Sequence, residues 1–446
     1  MKYRIAHVGA FDFENFGDLL FTDVLEYHLK QYIEIEKIVY FAPKKCEMPG
    51  KDKQVYSVTE LEKIAKEKKF DAIIVGGGDL VHMLKTKTYM PHVAAEGWVD
   101  YEVIYIWTIP SLVSEKLRIP LIWNAPGVPM FFTKENKLAV EILCSSVDYI
   151  SVRDELSKEV LETAVDSDKI VVVPDTVLSI RDMIPLSSLE RIFEGLGLPV
   201  RKKNYIFFQG NTTFSDEDIK ICADTLLYLK QSKGYDIVLQ PIGYALGDFE
   251  VLKKIGEVYP KEFIIPKKKL NQYEILSLIA NSEIYIGSSL HGCITSNSYG
   301  VKNIVYNINH FRKTDGFVQL IGKESTRIYS SKEIKGTCEE LRDISEDEMN
   351  GYIIKIKEHF KAMADIIKSG IKKETENVGM IAEYIYQNSD KVAHLETQVN
   401  QLLAENASLK EIKERADGLE KAYKEVISSM SWKITKPIRS ILDHLK

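Results

Sequence analysis

Short runs of apolar residues alternate with helical segments along most of the chain. YRIAHVGAF near the start, DAIIVGGGDL near residue 75 and NYIFFQG near residue 205 are three of these runs. A strand that is apolar without alternation is buried on both faces, as in parallel sheets that are covered by helices. The pattern therefore predicts an α/β fold with parallel sheets.

The individual elements follow from the same periodicity. Helices are predicted over residues 17–32, 58–69, 136–146, 216–232 and 248–259, and Asn271 with Glu274 predicts a capping box at the start of another. Strands are predicted between the helices, including residues 36–42, 148–154, 169–180, 235–243, 263–266 and 303–306.

The regular alternation is interrupted between residues 180 and 203, where prolines, glycines and the basic run RKK cluster. At 446 residues the chain is too long for one core, and its length suggests roughly two or three domains. We therefore predict an N-terminal domain over residues 1–183 and a C-terminal domain over residues 200–335. These two α/β domains are expected to face each other across a cleft.

The remaining residues are predicted to be helical. A helical extension is expected over residues 336–387, and heptad spacing predicts a coiled coil over 388–430. The heptad positions before a three-residue stammer are Val392, Leu395, Val399, Leu402, Asn406 and Leu409. This coiled coil predicts a homodimer, with a single solvated helix as the alternative.

The last 16 residues, 431–446, combine Trp432 with basic residues and an apolar face. Such an amphipathic basic tail suits peripheral contact with a membrane surface, and equally a helix end that packs on a partner.

Charge and cysteine usage exclude several classes of protein. The net charge of −6 argues against nucleic acid as the main partner. No apolar run is long enough for a membrane span, and MKYRIAHVGAF lacks the regions of a signal peptide. The five scattered cysteines predict reduced thiols, and no cluster of residues has metal-ligand spacing. We expect a cytoplasmic protein without a metal. Peripheral contact with the inner face of the cell membrane is left open.

The stretch EIYIGSSLHG, residues 283–292, reads as a strand followed by a polar turn and a helix. Ligands bind at the carboxyl ends of parallel strands, which makes His291, Ser288, Ser289 and Gly292 candidate site residues. A buried, satisfied histidine at a strand–helix turn is the alternative. No G-x-S-x-G is present, so the two serines do not indicate a serine hydrolase.

Two further turns near the N-terminus are polar or glycine-rich. Asn15, Gly17 and Asp18 lie between the first strand and the first helix, without the G-x-G-x-x-G of a dinucleotide site. Gly77 and Gly78, at the end of the run near residue 75, can bring N–H groups against an anion. The alternatives are a helix cap for Asp18 and a tight packed turn for the glycines.

These segments together resemble the polysaccharide pyruvyl transferases. The resemblance rests on NFGDLL, DAIIVGGGDL, NAPGV, ISVRDELS, VVVPDTVLSI and IGSSLHG followed by SYG, in the family's order over about residues 1–325. It implies two Rossmann-like domains in a GT-B-like arrangement. One departure is that the family often has arginine two residues before the histidine, where this chain has Ser289.

The resemblance also implies a reaction in which phosphoenolpyruvate donates a pyruvyl group to two sugar hydroxyls, giving a ketal and phosphate. His291 suits the acid that protonates the donor's methylene carbon, and Asp18 suits the acceptor of a hydroxyl proton or a sugar ligand. Arg153, Arg312 and Lys313 are candidate cations for the donor's phosphate and carboxylate. For Arg153, an ion pair with Asp154 or Glu155 is the alternative.

The expected partners are phosphoenolpyruvate and a lipid-linked or nucleotide-linked glycan precursor of a bacterial surface polysaccharide, without a cofactor. Two other functions remain open at this point. One is a GT-B-like glycosyltransferase that uses a sugar nucleotide, and the other is a non-catalytic scaffold with the same fold.

Overall fold

The computed structural model describes residues 1–84, 103–244, 247–342 and 345–373, and the helical residues 409–410, 412–413, 415–421 and 424. The chain divides into two compact units, Met1–Thr375 and Glu376–Lys446. The first unit contains both sheets and the candidate site.

In the described part of the first 183 residues, six strands form one sheet in the order β3-β4-β2-β1-β5-β6. These strands are β1 (Lys2–Val8), β2 (Glu34–Ala42), β3 (Cys46–Glu47), β4 (Gln54–Ser57), β5 (Ala72–Gly76) and β6 (Leu121–Asn124). A separate parallel pair is formed by β7 (Ile150–Val152) and β8 (Ile170–Val172). The helices of this half are α1 (Phe16–Leu29), α2 (Leu61–Lys68), α3 (Tyr105–Leu117), α4 (Lys134–Ser145), α5 (Glu155–Leu161) and α6 (Ile180–Met183).

A second, five-stranded parallel sheet follows in the described residues, in the order β10-β9-β11-β12-β13. Its strands are β9 (Tyr205–Gln209), β10 (Asp236–Leu239), β11 (Ile284–Gly287), β12 (Lys302–Tyr306) and β13 (Arg327–Ile328). The remaining helices are α7 (Leu186–Leu196), α8 (Asp216–Lys233), α9 (Asp248–Val258), α10 (Gln272–Asn281), α11 (Leu290–Ser298), α12 (Arg312–Leu320), α13 (Ile334–Glu340) and α14 (Glu346–Ser369).

The predicted α/β fold is confirmed, because β5, β6 and β9 are buried along their whole length between helices. The predicted capping box of α10 is also present, with Asn271 accepting from Tyr273 N and Glu274 N. The first sheet is mixed, since β3 and β4 pair antiparallel at its edge. The two sheets fall within residues 1–183 and 200–335, while the division into two domains facing a cleft stays a prediction.

Three element predictions were wrong in detail. The strand expected over residues 169–180 stops at Val172, because Pro174 removes a donor and Asp175 caps a 3-10 turn at Thr176–Ser179. The strand expected over 263–266 is reduced to one bridge between Val238 and Ile264. The strand expected over 235–243 ends at Leu239. Helix α7 lies within the segment 180–203, and its Leu189 and Phe193 pack into the main core, while the interdomain role of this segment stays a prediction.

Helix α14 packs on the core as its apolar spacing predicts. Met349, Ile353, Ile356, Phe360, Met363 and Ile367 are all buried. Just beyond the helix, Lys372 lies buried with its Nζ 3.1 Å from Asp148 Oδ2. The same ammonium also donates to the carbonyl oxygen of Ser146. This segment therefore connects the end of α14 to the N-terminal half.

The rest of the predicted tail lies outside the described residues. That applies to the end of the extension from residue 374, to most of the coiled coil over 388–430 and to the whole basic tail over 431–446. Leu409, Ile412 and Leu419 are described as helical, and their side chains are exposed.

Candidate functional site

The first unit has an N-terminal half, residues 1–183, and a C-terminal half, residues 184–373. The first turn of α1 places a buried carboxylate where these two halves meet. Asn15 caps this helix by accepting from Gly17 N at 3.1 Å, so the alternative that Asp18 is the capping residue is wrong. Asp18 is instead 7% exposed and faces Gly78, where an added β-carbon would lie 2.9 Å from Asp18 Oδ1. Its carboxylate is therefore held at the end of the first sheet.

His291 lies in the first turn of α11, directly after β11, as the sequence predicts. The ring packs edge-on against Phe21 at 5.2 Å between centroids, and Phe21 belongs to α1 of the other half. It also lies against Gly17, where any β-carbon would overlap the imidazole. The close approach of the two halves thus requires glycine at position 17.

Asp175 is a site residue that the sequence analysis missed. Its Oδ2 lies 3.6 Å from His291 Nε2, and the residue is 1% exposed. Asp175 Oδ1 accepts from Val177 N at 3.1 Å, whereas Oδ2 and His291 Nε2 have no hydrogen-bond partner within the described residues. The motif VVVPDTVLSI contains this aspartate, and its position after a strand was the available signal.

The carboxylate of Asp18 shares this environment. Burial raises the pKa of Asp18 to about 6, while the nearby charges of His291 and Lys313 act to lower it. Asp79 and Asp175 raise it further by repulsion. A carboxyl group with this pKa can exchange a proton near neutral pH, which suits acid–base chemistry.

The charge of Arg153 is paired within the protein. Its guanidinium forms an ion pair with Asp79, and its Nε lies 3.4 Å from Asp154 Oδ2. The predicted alternative of an ion pair with Asp154 is therefore confirmed, with Asp79 as a second partner. Burial acts to raise the pKa of Asp79, but the charges of Arg153 and Lys313 outweigh it and hold that pKa below its usual value.

Lys313 is the partly exposed candidate cation that reaches the buried carboxylates. Its Nζ lies 3.5 Å from Asp79 Oδ2, and its side chain is 37% exposed. The neighbouring Arg312 points elsewhere, because it donates to Leu156 O at 3.2 Å and to Glu159 Oε2 at 3.0 Å. The structure thus brings Lys313, and not Arg312, to the polar cluster around Asp18 and Asp79.

The glycine turn after β5 packs tightly against α1. Gly77 and Gly78 have φ values of 85° and 87°, which favour glycine. A β-carbon at Gly77 would overlap the ring of Phe21, so the turn packs tightly on α1. The tight-turn alternative is confirmed, and an anion-binding role stays a prediction.

The backbone of the two serines before His291 is held by the side chain of Gln209. Gln209 Oε1 accepts from Ser288 N at 2.9 Å and from Ser289 N at 3.0 Å. Ser289 caps α11 through Gly292 N at 3.3 Å. Gly292 itself packs on the hydroxyl of Tyr285, which leaves no room for a side chain. These residues orient the histidine, and a direct role for them in binding stays a prediction.

Other features of the described residues bear on the class of chemistry. Each of the five cysteines has a free thiol. Within the described ranges no group of three metal-ligating residues is found. No helix among the described residues has the length and apolarity that crossing a membrane requires.

Solved structures with a similar fold include two UDP-N-acetylglucosamine 2-epimerases and an S. aureus MnaA–UDP structure. UDP-GlcNAc 2-epimerase from Methanocaldococcus jannaschii has a TM-score of 0.54 and 13% identity, over 83% of this chain and 100% of that one. The UDP-N-acetylglucosamine 2-epimerase from Rickettsia bellii gives 0.53 and 9%, over 83% and 98%. The S. aureus MnaA–UDP structure gives 0.51 and 11%, over 82% and 94%. This similarity supports the predicted GT-B-like fold, and at these identities it shows the fold alone.

Sequence comparisons address the family. No curated protein gives a significant match to this chain. The family model for polysaccharide pyruvyl transferase matches residues 15–310, a span that contains the α1 turn, Asp79, Arg153, Asp175 and His291. The chain therefore belongs to the polysaccharide pyruvyl transferase family of transferases.

Proposed function

We propose that this protein transfers a pyruvyl group from phosphoenolpyruvate to two hydroxyls of one sugar in a glycan precursor, with release of phosphate. The observation that carries the proposal is the position of His291. A buried imidazole nitrogen with no hydrogen-bond partner among the described residues lies beside two carboxylates, Asp175 and Asp18, where the two halves meet. Such a group is suited to deliver a proton to carbon in a site that excludes water.

The proposed reaction begins with proton transfer from His291 Nε2 to the methylene carbon of the donor. The adjacent carbon becomes cation-like, and the first sugar hydroxyl bonds to it while losing its proton to Asp18. The bond from this carbon to the phosphate oxygen then breaks, and the second hydroxyl closes the ketal. The second hydroxyl proton leaves with the phosphate, so the products are the ketal and inorganic phosphate.

Asp175 has a positioning role in this proposal. Asp175 Oδ2 lies 3.6 Å from His291 Nε2, so this carboxylate can fix the orientation of the imidazole ring. His291 is only 9% exposed. In this proposal the α1 turn and the histidine separate to admit the donor and then close over it. Closure afterwards would remove water from the reacting carbon.

Lys313 is the proposed contact for the donor's negative charge. Arg153 is already paired with Asp79 and Asp154, which leaves Lys313 as the half-exposed cation beside these carboxylates. In this role Lys313 would compensate for Ser289, which stands where the family often has arginine. A point charge on a flexible stem can follow the donor's phosphate as the site closes.

The proposal predicts a pH dependence that belongs to Asp18. The pKa of Asp18 is raised to about 6, and the base must be ionised, so kcat/KM should rise as the pH increases through about 6. The Asp18→Asn variant should turn over slowly and lack this rise. Steady-state rates between pH 5 and 8 for both proteins measure it, and an unchanged rise in the variant would assign the titration to another group.

The direct test is incubation with phosphoenolpyruvate and a panel of lipid-linked and nucleotide-linked sugars, read by mass spectrometry. We expect one acceptor to gain a pyruvyl group, with one phosphate released for each ketal formed. Consumption of a sugar nucleotide without phosphoenolpyruvate would instead identify a glycosyltransferase. A protein that consumes neither would be a scaffold.

We also propose that the C-terminal tail forms a parallel dimer and holds the enzyme at the inner membrane surface. The exposed fractions of Leu409, Ile412 and Leu419 are 61%, 59% and 72% in the single chain, which suits an apolar seam that a second copy covers. Deleting residues 388–446 should leave a folded monomer. Sedimentation of the truncated protein as the same oligomer as the full chain would contradict the coiled-coil prediction.

A further inference from the structure

A cavity separate from the His291 cluster lies between the two halves of the first unit. Its volume is about 150 Å³, and it is lined by the first turn of α1, by the turn after β3 and by residues around the start of α10. Phe16 and Leu19 form an apolar wall on one side of the cavity, and Ile242 and Ile275 form a second apolar wall on the other side. The cavity therefore has apolar walls contributed by both halves.

Two polar residues that line this cavity, Gln272 and Tyr244, have unused hydrogen-bonding capacity. Gln272 Oε1 is buried and has no partner within the described residues, although its Nε2 donates to Asp23 Oδ2 at 3.3 Å. Tyr244 Oη accepts from Leu270 N at 3.2 Å and from Gln240 Nε2 at 3.1 Å, so its own proton is left to donate. A buried acceptor without a donor is costly, and a turn of the Gln272 side chain toward the cavity would offer this oxygen to a ligand hydroxyl.

The charges at the rim of the cavity are balanced. Glu14 lines the cavity and is paired with Lys269 of the other half. Behind the wall, the carboxylate of Asp23 accepts from Lys51 Nζ at 2.6 Å and from Tyr273 Oη at 2.7 Å. A phosphate group would therefore find no unpaired cation among these residues, and a neutral ligand is favoured.

The size and lining fit one sugar ring. A closed cavity of about 150 Å³ accepts benzene, which is smaller than a hexose. This cavity opens to solvent at the exposed residues Gly50 and Asn271, so part of a sugar ring can extend outward. A hexose presents C–H faces to apolar walls and hydroxyls that both donate and accept. Gln272 Oε1 and the Tyr244 hydroxyl offer one acceptor and one donor for such hydroxyls. Mostly apolar walls with a few polar groups are typical of small-ligand sites.

The cavity and the His291 cluster lie on two faces of the same helical turn. Gly17 and Asp18 face His291 and Gly78, whereas Phe16 and Leu19 face the cavity. A ring in the cavity is therefore not the ring that receives the pyruvyl group. Building on the proposed function, we propose that this cavity binds the neighbouring sugar residue of the acceptor, so that the acceptor contains at least two linked sugars.

The test measures sugar binding without phosphoenolpyruvate and without turnover. The probes are glucose, galactose, N-acetylglucosamine and disaccharides made from them, titrated by calorimetry or by saturation-transfer NMR. The blocking variant is Pro49→Trp, at a half-exposed residue that lines the cavity in a surface turn. The matched control is Asp52→Trp, at an exposed position of the same turn that does not line the cavity. Gln272→Leu removes the unpaired acceptor.

We expect at least one disaccharide to bind the unchanged protein more tightly than its component monosaccharides. Pro49→Trp should weaken that binding at least tenfold, Gln272→Leu should weaken it several-fold, and Asp52→Trp should leave it unchanged. Equal binding by Pro49→Trp and the control, or no binding by the unchanged protein, would overturn the proposal. Because no donor is present, these results are independent of whether the ketal reaction itself is confirmed.

Discussion

Replacing His291 by asparagine is expected to lower phosphate release from phosphoenolpyruvate, with acceptor present, by about 10²- to 10⁴-fold. The imidazole is the proposed source of the proton that reaches the donor's methylene carbon. An asparagine amide retains polarity at this position but cannot deliver a proton at neutral pH. The measurement is the initial rate of phosphate release at saturating donor, on protein whose fold has been checked by circular dichroism.

The matched control is His310→Asn. His310 is exposed, stacks on Tyr329 and has a φ of 51°, a conformation that asparagine tolerates. It is not part of the His291 cluster, so its replacement should change the rate by less than twofold. Normal turnover by His291→Asn would remove the histidine from the mechanism, and equal losses in both variants would indicate a general effect on folding.

Replacing Lys372 by methionine should reduce the free energy of unfolding by about 3–5 kcal/mol, because it leaves the buried Asp148 without its charged partner. Both side chains of this pair are 2% exposed. The ammonium also donates to Ser146 O, so the loss includes a second hydrogen bond. Urea unfolding followed by tryptophan fluorescence measures the change.

Two controls separate the charge from the packing. In the double variant Asp148→Asn with Lys372→Met neither charge is buried alone, so much of the lost stability should return. Lys373→Met removes an exposed lysine whose Nζ donates to Asp148 O at 2.8 Å, and it should cost far less than the change at Lys372. Similar losses at positions 372 and 373 would contradict the importance of the buried pair.

The fold was largely predictable because a strand that is buried on both faces has a continuous run of apolar residues in the sequence. The strands around Ile74, Phe207 and Ile286 are continuous apolar runs, and each pairs parallel with its neighbouring strands. The errors came where a single residue outweighs the pattern. Asp175 turns an apolar run into a 3-10 turn by accepting from a backbone N–H.

The site was predictable only in part. His291 follows the end of β11, and Asp18 lies in the first turn of the helix after β1, so both could be proposed as site residues from their positions. Asp79 with Arg153, and Asp175 with His291, pair residues that are far apart in sequence. No local pattern specifies such pairs. Arg153 was predicted as a candidate cation for the donor, with an ion pair to Asp154 or Glu155 as the alternative, and its pairing with Asp79 was missed.

The contact between Gly17 and His291 has a consequence for the fate of the donor. If phosphoenolpyruvate is protonated in the closed site, its activated carbon meets only the hydroxyls enclosed with it. A side chain at position 17 would wedge this junction open, and bulk solvent would then compete as the nucleophile. Under the proposed function, a Gly17→Ala variant would release free pyruvate and phosphate, so the absence of a side chain at this position would decide between transfer and hydrolysis of the donor.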